Sequence, residues 1–308
     1  MLRRAFRLAL VGLLSSIACG GDDEGAQPDD GGDVDASPGE VDASSDQPDA
    51  APGAGCPASI HASFDLSSSS EYGQLFGAYD NVPLPTALEE KLREGECAFF
   101  APEPPFCDPV CEGETLCSTG GVCRPFPRHV DIGTVRVAGT DPALVLEANQ
   151  FDYYATETLL PSLFQPGDEL TLTAGGVGDV PAIELTVRGV APLADPGLVT
   201  AREHEDLLIT WEPDPSASER TELIVHADND HHGVQAYVEC RGPDDGELVV
   251  PAAVLDQLIL AGETGIGTYI ENAWMKRINQ ATVETDLGCF SFQSIWQVPV
   301  GFETIRPD

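Results

Sequence analysis

The sequence predicts a mainly β protein. A signal peptide and a disordered tether precede a small disulfide-rich module, which is followed by an Ig-like or jelly-roll-type β-sandwich with one short helix. Three observations predict this order. From about residue 130, short runs of alternating apolar residues are separated by Gly, Pro and Asp, as in a sandwich. Six of the nine cysteines lie within residues 56–123. Residues 20–55 contain eleven acidic residues and no Lys, Arg or aromatic residue.

The first element is a signal peptide over residues 1–18. Three arginines lie among the first seven residues, and the apolar run Leu8–Leu14 that follows is too short to span a bilayer. Ile17, Ala18 and Cys19 then resemble the lipobox of bacterial lipoproteins, although Ser16 stands where leucine is usual. Without Cys19 the chain retains eight cysteines, an even number for disulfides. We therefore expect Cys19 to be the lipidated first residue of the mature protein, the alternative being an ordinary signal peptide.

The second element, residues 19–55, is expected to be a disordered tether behind the lipidated cysteine. A segment so rich in acids and so poor in apolar residues cannot bury enough surface to offset its ordering entropy. Its like charges repel one another and extend the chain. The tether would hold the folded head away from the lipid anchor. Because the signal before Cys19 resembles that of bacterial lipoproteins, the expected location is an outer membrane or cell surface of a Gram-negative bacterium.

The charge balance excludes one class of partner. The chain has 52 acidic against 15 basic residues and a formal net charge of −37. Nucleic-acid binding needs a basic footprint, so we expect no nucleic-acid partner. The expected partners are the membrane, through the lipid anchor, and a protein or glycan that the sequence does not identify. Nine cysteines at these spacings indicate an oxidising compartment.

The third element, residues 56–129, is predicted to be a module held by disulfides, because it contains little apolar material between its cysteines. The cysteine spacings of three and five residues do not fit the paired spacings of a zinc site. We also predict a strand over 59–66 and a short helix over 86–93, with Thr86 as its N-cap. The connectivity cannot be deduced from the spacing. The disulfide cysteines expected here are Cys56, Cys97, Cys107, Cys111, Cys117 and Cys123.

The fourth element, residues 130–308, is predicted to be the β-sandwich. Its apolar residues recur at period two, as in the segment 169–174. One helix is predicted between Pro251 and Gly262, with one apolar face formed by Val254, Leu255, Leu258 and Ile259. Cys240 and Cys289 are the only two cysteines of this region, so we expect them to pair.

The segment 226–239 is the candidate metal site. Asp228, Asp230 and Glu239 match positions of the calcium-loop pattern, but His232 stands where an oxygen ligand belongs. The flanking residues alternate like strands, whereas the pattern needs helices, so we favour a hairpin turn. One alternative is calcium binding. The other is transition-metal binding by His226, His231 and His232 with Asp228 or Asp230. The candidate ligands are Asp228, Asp230, His231, His232 and Glu239.

Other chemistry is weakly supported by the sequence. No nucleophile elbow, zinc-protease helix or dinucleotide-binding turn occurs, so no catalytic residue and no cofactor are expected. The run 202–206 places acids around His204, but it precedes a strand and is interpreted as a solvated loop. The tryptophans are interpreted as sandwich core and edge residues.

Several segments together give a resemblance. The chain resembles the uncharacterised, acidic-tethered surface lipoproteins common in myxobacteria-type genomes. The resemblance rests on Cys19 after its signal, on the tether, and on the segments 105–127, 206–213, 231–233 and 239–255. It implies an exported head with a small disulfide module before a β-sandwich, and of the site residues it bears only on the lipidation of Cys19.

Three functions follow as hypotheses. The first is a membrane-anchored surface lipoprotein whose sandwich head is a non-enzymatic binding or structural module. The second, from fold analogy alone, is a secreted glycan-active or other hydrolase. The third is a metal-dependent adhesion module centred on residues 226–239.

Overall fold

A computed structural model describes residues 62–69, 72–82, 88–102, 107–118, 120–150, 153–156, 162–229, 236–263, 270 and 272–305. Strands dominate the described residues and one helix interrupts them, so the predicted mainly β fold is confirmed. No helix in these ranges is long and apolar enough to cross a membrane. The predicted signal peptide, Cys19 and the tether lie outside the described residues.

The elements follow one another along the chain. The strands of the first half are β1 (Ala62–Ser68), β2 (Gly73–Tyr79), β3 (Leu88–Glu94), β4 (Cys97–Pro102), β5 (Thr115–Ser118), β6 (Val122–Pro125), β7 (Val135–Ala138), β8 (Leu144–Leu146), β9 (Tyr154–Ala155), β10 (Glu169–Ala174) and β11 (Ile183–Arg188). The second half contains β12 (Leu198–Arg202), β13 (Leu207–Thr210), β14 (Thr221–Asp228), β15 (Tyr237–Pro243), β16 (Glu247–Val250), α1 (Ala252–Glu263), β17 (Asn272–Thr285), β18 (Gly288–Pro299) and β19 (Gly301–Ile305).

One nine-stranded sheet organises the head. Its order is β3-β4-β15-β14-β17-β18-β1-β2-β9, so strands from both ends of the described chain meet in its centre. The long hairpin of β17 and β18 forms the middle, with Thr285 opposite Gly288 at its turn. β1 joins this hairpin as a parallel neighbour of β18, and the other pairs of the sheet are antiparallel.

Two hydrophobic cores cover one face of this sheet, which we call the inner face. Because side chains alternate along a strand, every second residue of β17 faces inward. Against one half of the inner face packs a four-stranded sheet of order β11-β10-β7-β8, which completes a two-sheet sandwich. Against the other half pack α1 and the β13–β16 pair. The predicted apolar face of the helix lies in this second core, with Val254 and Leu258 at most 1% exposed.

A polar seam separates the two cores on the inner face. Arg277 of β17 is 1% exposed and donates from its two terminal nitrogens to the carbonyl oxygens of Ala191, Pro192 and Glu212. Its Nε lies 2.9 Å from Oδ2 of Asp244, which is also buried. The guanidinium can be buried here because Asp244 balances its charge and both terminal nitrogens donate hydrogen bonds, although the Nε–H group itself makes no hydrogen bond within the described structure.

The next inward residue of β17, Asn279, joins the two sheets. Its Oδ1 accepts from the backbone N–H of Arg188 on β11, and its Nδ2 donates to the hydroxyls of Ser218 and Thr221. Ser294 of β18 donates to the carbonyl of the same Arg188. Two side chains of the nine-stranded sheet, Asn279 and Ser294, thus form hydrogen bonds to β11, the edge strand of the four-stranded sheet, and hold the two sheets together.

The expected boundary between a module at 56–129 and a sandwich at 130–308 does not hold. β1, β2, β3 and β4 belong to the nine-stranded sheet, and β4 pairs with β15. The compact disulfide-bonded part is smaller: the β5–β6 hairpin with the loop before it, held by Cys107–Cys117 and Cys111–Cys123. The composition change near residue 130 marks the end of this hairpin, whereas strand pairing depends on residues far away in sequence.

The disulfide expected between Cys240 and Cys289 is wrong. Cys240 is bonded to Cys97, which lies directly opposite it on β4 with the two Cα atoms 4.0 Å apart. Cys289 is also disulfide-bonded, but its partner lies outside the described residues. The expectation assumed that residues 130–308 form a separate domain, because no sequence pattern indicates that β4 is the neighbour of β15.

The predicted helix over 86–93 is also wrong. Leu88–Glu94 is the edge strand β3, paired with β4 through a β-bulge between Glu90 and Leu92. Pairing with β4 overrides the helix propensity of this segment, because it satisfies the backbone hydrogen bonds of β4. The charged side chains of β3 suit a sheet edge, where they discourage pairing with other chains.

Candidate functional site: the outer face of the nine-stranded sheet

The face of the nine-stranded sheet opposite the cores, here called the outer face, has a different composition. On β14 the inward residues Leu223 and Val225 lie in the second core, whereas the alternate residues His226 and Asp228 point to the outer face and are half-buried. The neighbouring strands β15 and β17 follow the same rule. A sheet with one apolar and one polar–aromatic face is the arrangement expected when only one face is covered by a core.

Four aromatic rings form a stack across the outer face, which we call the ladder. Phe100 and Tyr237 have ring centroids 4.7 Å apart, Tyr237 and His226 4.9 Å, and His226 and Trp274 4.5 Å. The rings lie on four adjacent strands. Phe100 lies opposite Tyr237 and His226 opposite Trp274, at the strand spacing of about 4.8 Å, whereas Tyr237 reaches His226 diagonally. The ring faces therefore contact one another. A sugar-stacking platform needs a free ring face, so the inner rings of the ladder do not form one.

Lys276 lies at the Trp274 end of the ladder. Its ammonium is 4.0 Å from the Trp274 ring centroid, a cation–π contact. Burial lowers the pKa of this lysine, while the charges of Asp65 and Glu239 act in the opposite direction. No carboxylate within the described ranges lies at ion-pair distance from it. Among the described residues, Lys276 is thus a partly desolvated cation without an ionic partner. This is unusual for its surroundings, because residues 56–308 include 41 acids and 12 bases.

His226 and Asp228 form a polar pair beside the ladder. Nε2 of His226 lies 3.1 Å from Oδ2 of Asp228, and Asn272 on β17 donates to the other carboxylate oxygen at 3.2 Å. Nδ1 of His226 is buried and has no hydrogen-bond partner in the described structure. The carboxylate thus orients the imidazole through one nitrogen and leaves the other unsatisfied.

Three isoleucines form the floor of the outer face next to the ladder. Ile224, Ile278 and Ile295 lie side by side on β14, β17 and β18 and are 5%, 1% and 2% exposed. Trp274 packs against them. The rim around this floor contains exposed amides, Asn272 on β17 and Gln297 on β18. The isoleucines are closed to solvent, so the groups of this face that can form hydrogen bonds with a ligand lie at the rim.

The structure places two of the five predicted metal ligands on this face. Asp228 ends β14 and Glu239 lies on β15, whereas Asp230, His231 and His232 lie outside the described residues. β14 and β15 pair antiparallel with Asp228 opposite Tyr237, which is the hairpin that we favoured over helices. Within the described ranges His226, Asp228 and Glu239 do not converge as a set of metal ligands.

One set of cysteines does converge. The sulfur atoms of Cys107, Cys111 and Cys117 lie within 4.8 Å of one another. They belong to the two disulfides of the β5–β6 hairpin, and a disulfide sulfur is not the thiolate that binds zinc. Their proximity is that of two adjacent disulfides.

The acidic run around His204 has a structural role. His204 has a left-handed φ of 67°, is 70% exposed, and places its Nδ1 2.8 Å from Oδ2 of Asp256 on α1. This hydrogen bond raises the pKa of the imidazole. Asp206 accepts a hydrogen bond from the backbone N–H of Ala252 at the start of α1. Both contacts attach the turn before β13 to the helix, which accounts for these residues without catalysis.

An interior void lies in the second core. Its volume is about 10 Å³, and apolar side chains such as Leu207, Val238 and Phe302 line it. A void of this size has room for about one water molecule and offers no polar partner. It has no room for a substrate.

No protein-family model and no curated protein matches the chain. The function of the outer face is therefore inferred from its own residues.

The sequence prediction missed most of the outer face. Phe100, Trp274 and Lys276 belong to no motif, and they come together only through the order of strands in the sheet. The alternation of polar residues at 222, 226 and 228 was the available signal, since it marks the uncovered face of a strand. The neighbours of that strand could not be deduced.

Proposed function

We propose that the protein is an exported lipoprotein, anchored at the outer membrane or cell surface through lipidated Cys19, whose head is a non-enzymatic binding module that uses the outer face. The observation behind the proposal is the composition of that face. It combines a stack of rings, the partly desolvated cation of Lys276, and exposed amides around a closed cluster of isoleucines.

The chemistry of Lys276 supports ligand binding. A half-buried ammonium loses hydration, which the cation–π contact with Trp274 and the more distant charges of Asp65 and Glu239 offset in part. An acceptor oxygen of a ligand would restore a charge-assisted hydrogen bond. The side chains of Gln297, opposite Lys276, and of Asn272 would add donors and acceptors.

The backbone beneath these groups supports the same conclusion. The ligand-facing side chains lie on paired strands, and the stacked rings restrict one another. A site on regular elements is held more precisely than a site on loops, which reduces the entropy lost on binding.

The disulfides support the exported location. Seven of the described cysteines are in disulfides, and disulfides persist in oxidising compartments outside the cytosol. This agrees with the predicted signal peptide before Cys19.

Binding is tested with purified protein and fractions of the bacterium's own envelope polysaccharides and surface proteins. We expect one fraction to be retained by the immobilised protein, and Trp274→Ala and Lys276→Ala each to weaken that retention. Leu208→Ser is the matched control, since Leu208 is 55% exposed on the β13–β16 pair, away from the outer face. Equal retention by all variants would exclude the outer face, and turnover of glycans, peptides or esters would exclude a non-enzymatic module.

Anchoring is tested separately by mass spectrometry of the native N-terminus. An acylated Cys19 is expected as the first residue, and Cys19→Ser should leave the precursor uncleaved. An unmodified N-terminus elsewhere, in the soluble fraction, would remove the lipid anchor from the proposal.

A further inference from the structure

Cys289 has a disulfide partner that can be deduced by elimination. Six of the described cysteines pair among themselves, as Cys97–Cys240, Cys107–Cys117 and Cys111–Cys123. Cys289, the seventh, is disulfide-bonded as well. The chain contains nine cysteines, so its partner is either Cys19 or Cys56.

We propose that Cys289 is bonded to Cys56, and that this bond fixes the acidic tether to one end of the nine-stranded sheet. Two arguments favour Cys56. It lies six residues before β1, whose first residue Ala62 pairs with Phe290, next to Cys289. Once β1 is paired with β18, the segment that must bring the cysteine back to Cys289 is much shorter from Cys56 than from Cys19. Loop-closure entropy favours the shorter segment. Under the proposed function, moreover, the sulfur of Cys19 is acylated and cannot form a disulfide.

The register identifies the end of the sheet that holds this bond, which we call the anchor end. Thr285 and Gly288 close the β17–β18 hairpin there, one residue before Cys289. Ala62 lies opposite Tyr79, and the next residue, Asp80, bridges to His129 just after the disulfide-bonded hairpin. The anchor end therefore combines the β17–β18 turn, the start of β1 and the chain that leaves β6.

The opposite end, here the far end, carries the ladder. Asn272, the first residue of β17, lies opposite Asp228, and Trp274 lies opposite both His226 and Pro299. β17 has 14 residues, so at about 3.3 Å per residue the two ends are roughly 40 Å apart. If the protein is lipid-anchored as proposed, the tether joins the end remote from the ladder. The far end, which carries the ladder, is then the part of the head most remote from the point where the tether is attached.

The bond is tested by non-reducing peptide mapping with a protease that cleaves after glutamate. Cleavage after Glu40, Glu71, Glu284 and Glu303 yields peptides 41–71 and 285–303, each with one cysteine. We expect these two peptides to be joined. A link from 285–303 to the peptide that ends at Glu24, which contains Cys19, would overturn the proposal, as would a free thiol at Cys289.

Thiol counts in denaturant give an independent check. Cys56→Ser should release one new thiol, and Cys56→Ser with Cys289→Ser should release none. Cys97→Ser is the control, since it should release the thiol of Cys240 whichever partner Cys289 has. Two new thiols in the double variant, or none in Cys56→Ser, would contradict the pairing.

The orientation is tested in liposomes with the intact lipoprotein. One epitope is inserted in the β17–β18 turn after Asp286, and another between His231 and His232 in the β14–β15 hairpin. Deleting residues 24–50 shortens the tether and brings the head to the lipid surface. Antibody binding to the turn epitope should then be lost, while binding to the hairpin epitope is kept. The reverse pattern, or equal binding at both epitopes, would overturn the orientation.

The two proposals fail differently. If Cys19 proves unmodified, the lipid anchor fails, but peptide mapping still decides whether Cys56 and Cys289 are joined. If mapping finds another partner for Cys289, the attachment of the tether at the anchor end is excluded. The proposals of lipidated Cys19 and of binding by the outer face are then unaffected.

Discussion

At the residue scale, the buried charge of Arg277 is the most demanding feature of the head. Its guanidinium reaches three carbonyl oxygens and Asp244 in the seam between the cores. Asp244 also accepts from Nε1 of the half-buried Trp211 at 2.6 Å, so a single carboxylate serves two side chains. The loss of one member of such a network leaves the other groups desolvated without a partner.

We therefore predict a large effect from Asp244→Asn. Removing the charge leaves Arg277 buried without its counter-ion, which should lower the free energy of unfolding by about 3 kcal/mol or more. Glu222→Gln is the control, because its pair with Arg241 is solvent-exposed and should contribute less than about 1 kcal/mol. Urea denaturation measures both. Similar losses in the two variants would contradict a structural role for the seam.

His204 gives a prediction of pH dependence. The hydrogen bond to Asp256 raises the folded pKa of its imidazole above the unfolded value. The contact therefore stabilises the fold fully below the unfolded pKa, and this contribution is lost as the pH rises through the folded pKa. NMR titration should show the raised pKa in the wild type and a lower one in Asp256→Asn. An unchanged pKa in that variant would show that the contact does not form in solution.

At the scale of elements, the edge strand β3 illustrates how pairing overrides local preference. Its sequence LEEKLRE has helix-forming residues and a capping signal before it. In the structure Lys91 pairs with Glu89 and Arg93 with Glu90, so the charges bind one another on the sheet edge instead of along a helix. The strand forms because β4 offers an unpaired backbone edge, and Cys97–Cys240 holds β4 against β15.

The two kinds of disulfide should differ in their contribution to stability. Cys97–Cys240 links residues 143 apart and Cys107–Cys117 residues 10 apart. In the loop-entropy description, the first should stabilise the fold by about 5 kcal/mol and the second by about 3 kcal/mol. Paired Cys→Ser variants, compared by thermal unfolding, measure this order. A larger loss from the Cys107/Cys117 variant would mean that the local hairpin, and not the attachment of β4, limits stability.

At the scale of the whole molecule, the nine-stranded sheet joins segments that the composition separates. β1 and β4 come from the cysteine-rich half of the sequence, yet they border β18 and β15. Both cores rest on the same inner face, and β17 contributes to each. The head is therefore one cooperative structure and not a module followed by an independent sandwich.

A fragment of residues 130–308 should consequently fail to fold. It lacks β1 to β4, so β18 and β15 would have open edges, and the half of the Cys97–Cys240 bond on β4 would be missing. Circular dichroism and NMR should show an unfolded or aggregated fragment, while residues 56–308 give one cooperative transition. A well-dispersed spectrum from the short fragment would contradict this account of the sheet.

The sequence alone determined what depends on local pattern and composition. The period-two runs predicted β10, β11, β14 and β18, and Pro251 with the apolar face of 254–259 predicted α1, because alternation and helical periodicity are local signals. Polar alternation beside a turn predicted the β14–β15 hairpin. The export signal and lipidated Cys19 remain predictions from the sequence.

Only the tertiary structure decided which strands are neighbours. It made Leu88–Glu94 a strand, paired Cys240 with Cys97 instead of Cys289, and brought four rings into one stack, those of Phe100, Tyr237, His226 and Trp274. Each outcome depends on a contact between residues far apart in sequence, whose formation is governed by burial of the inner face and by hydrogen bonding of strand edges. No local pattern records such a partner, so the composition of the outer face, and the function proposed for it, became visible only after the sheet order was known.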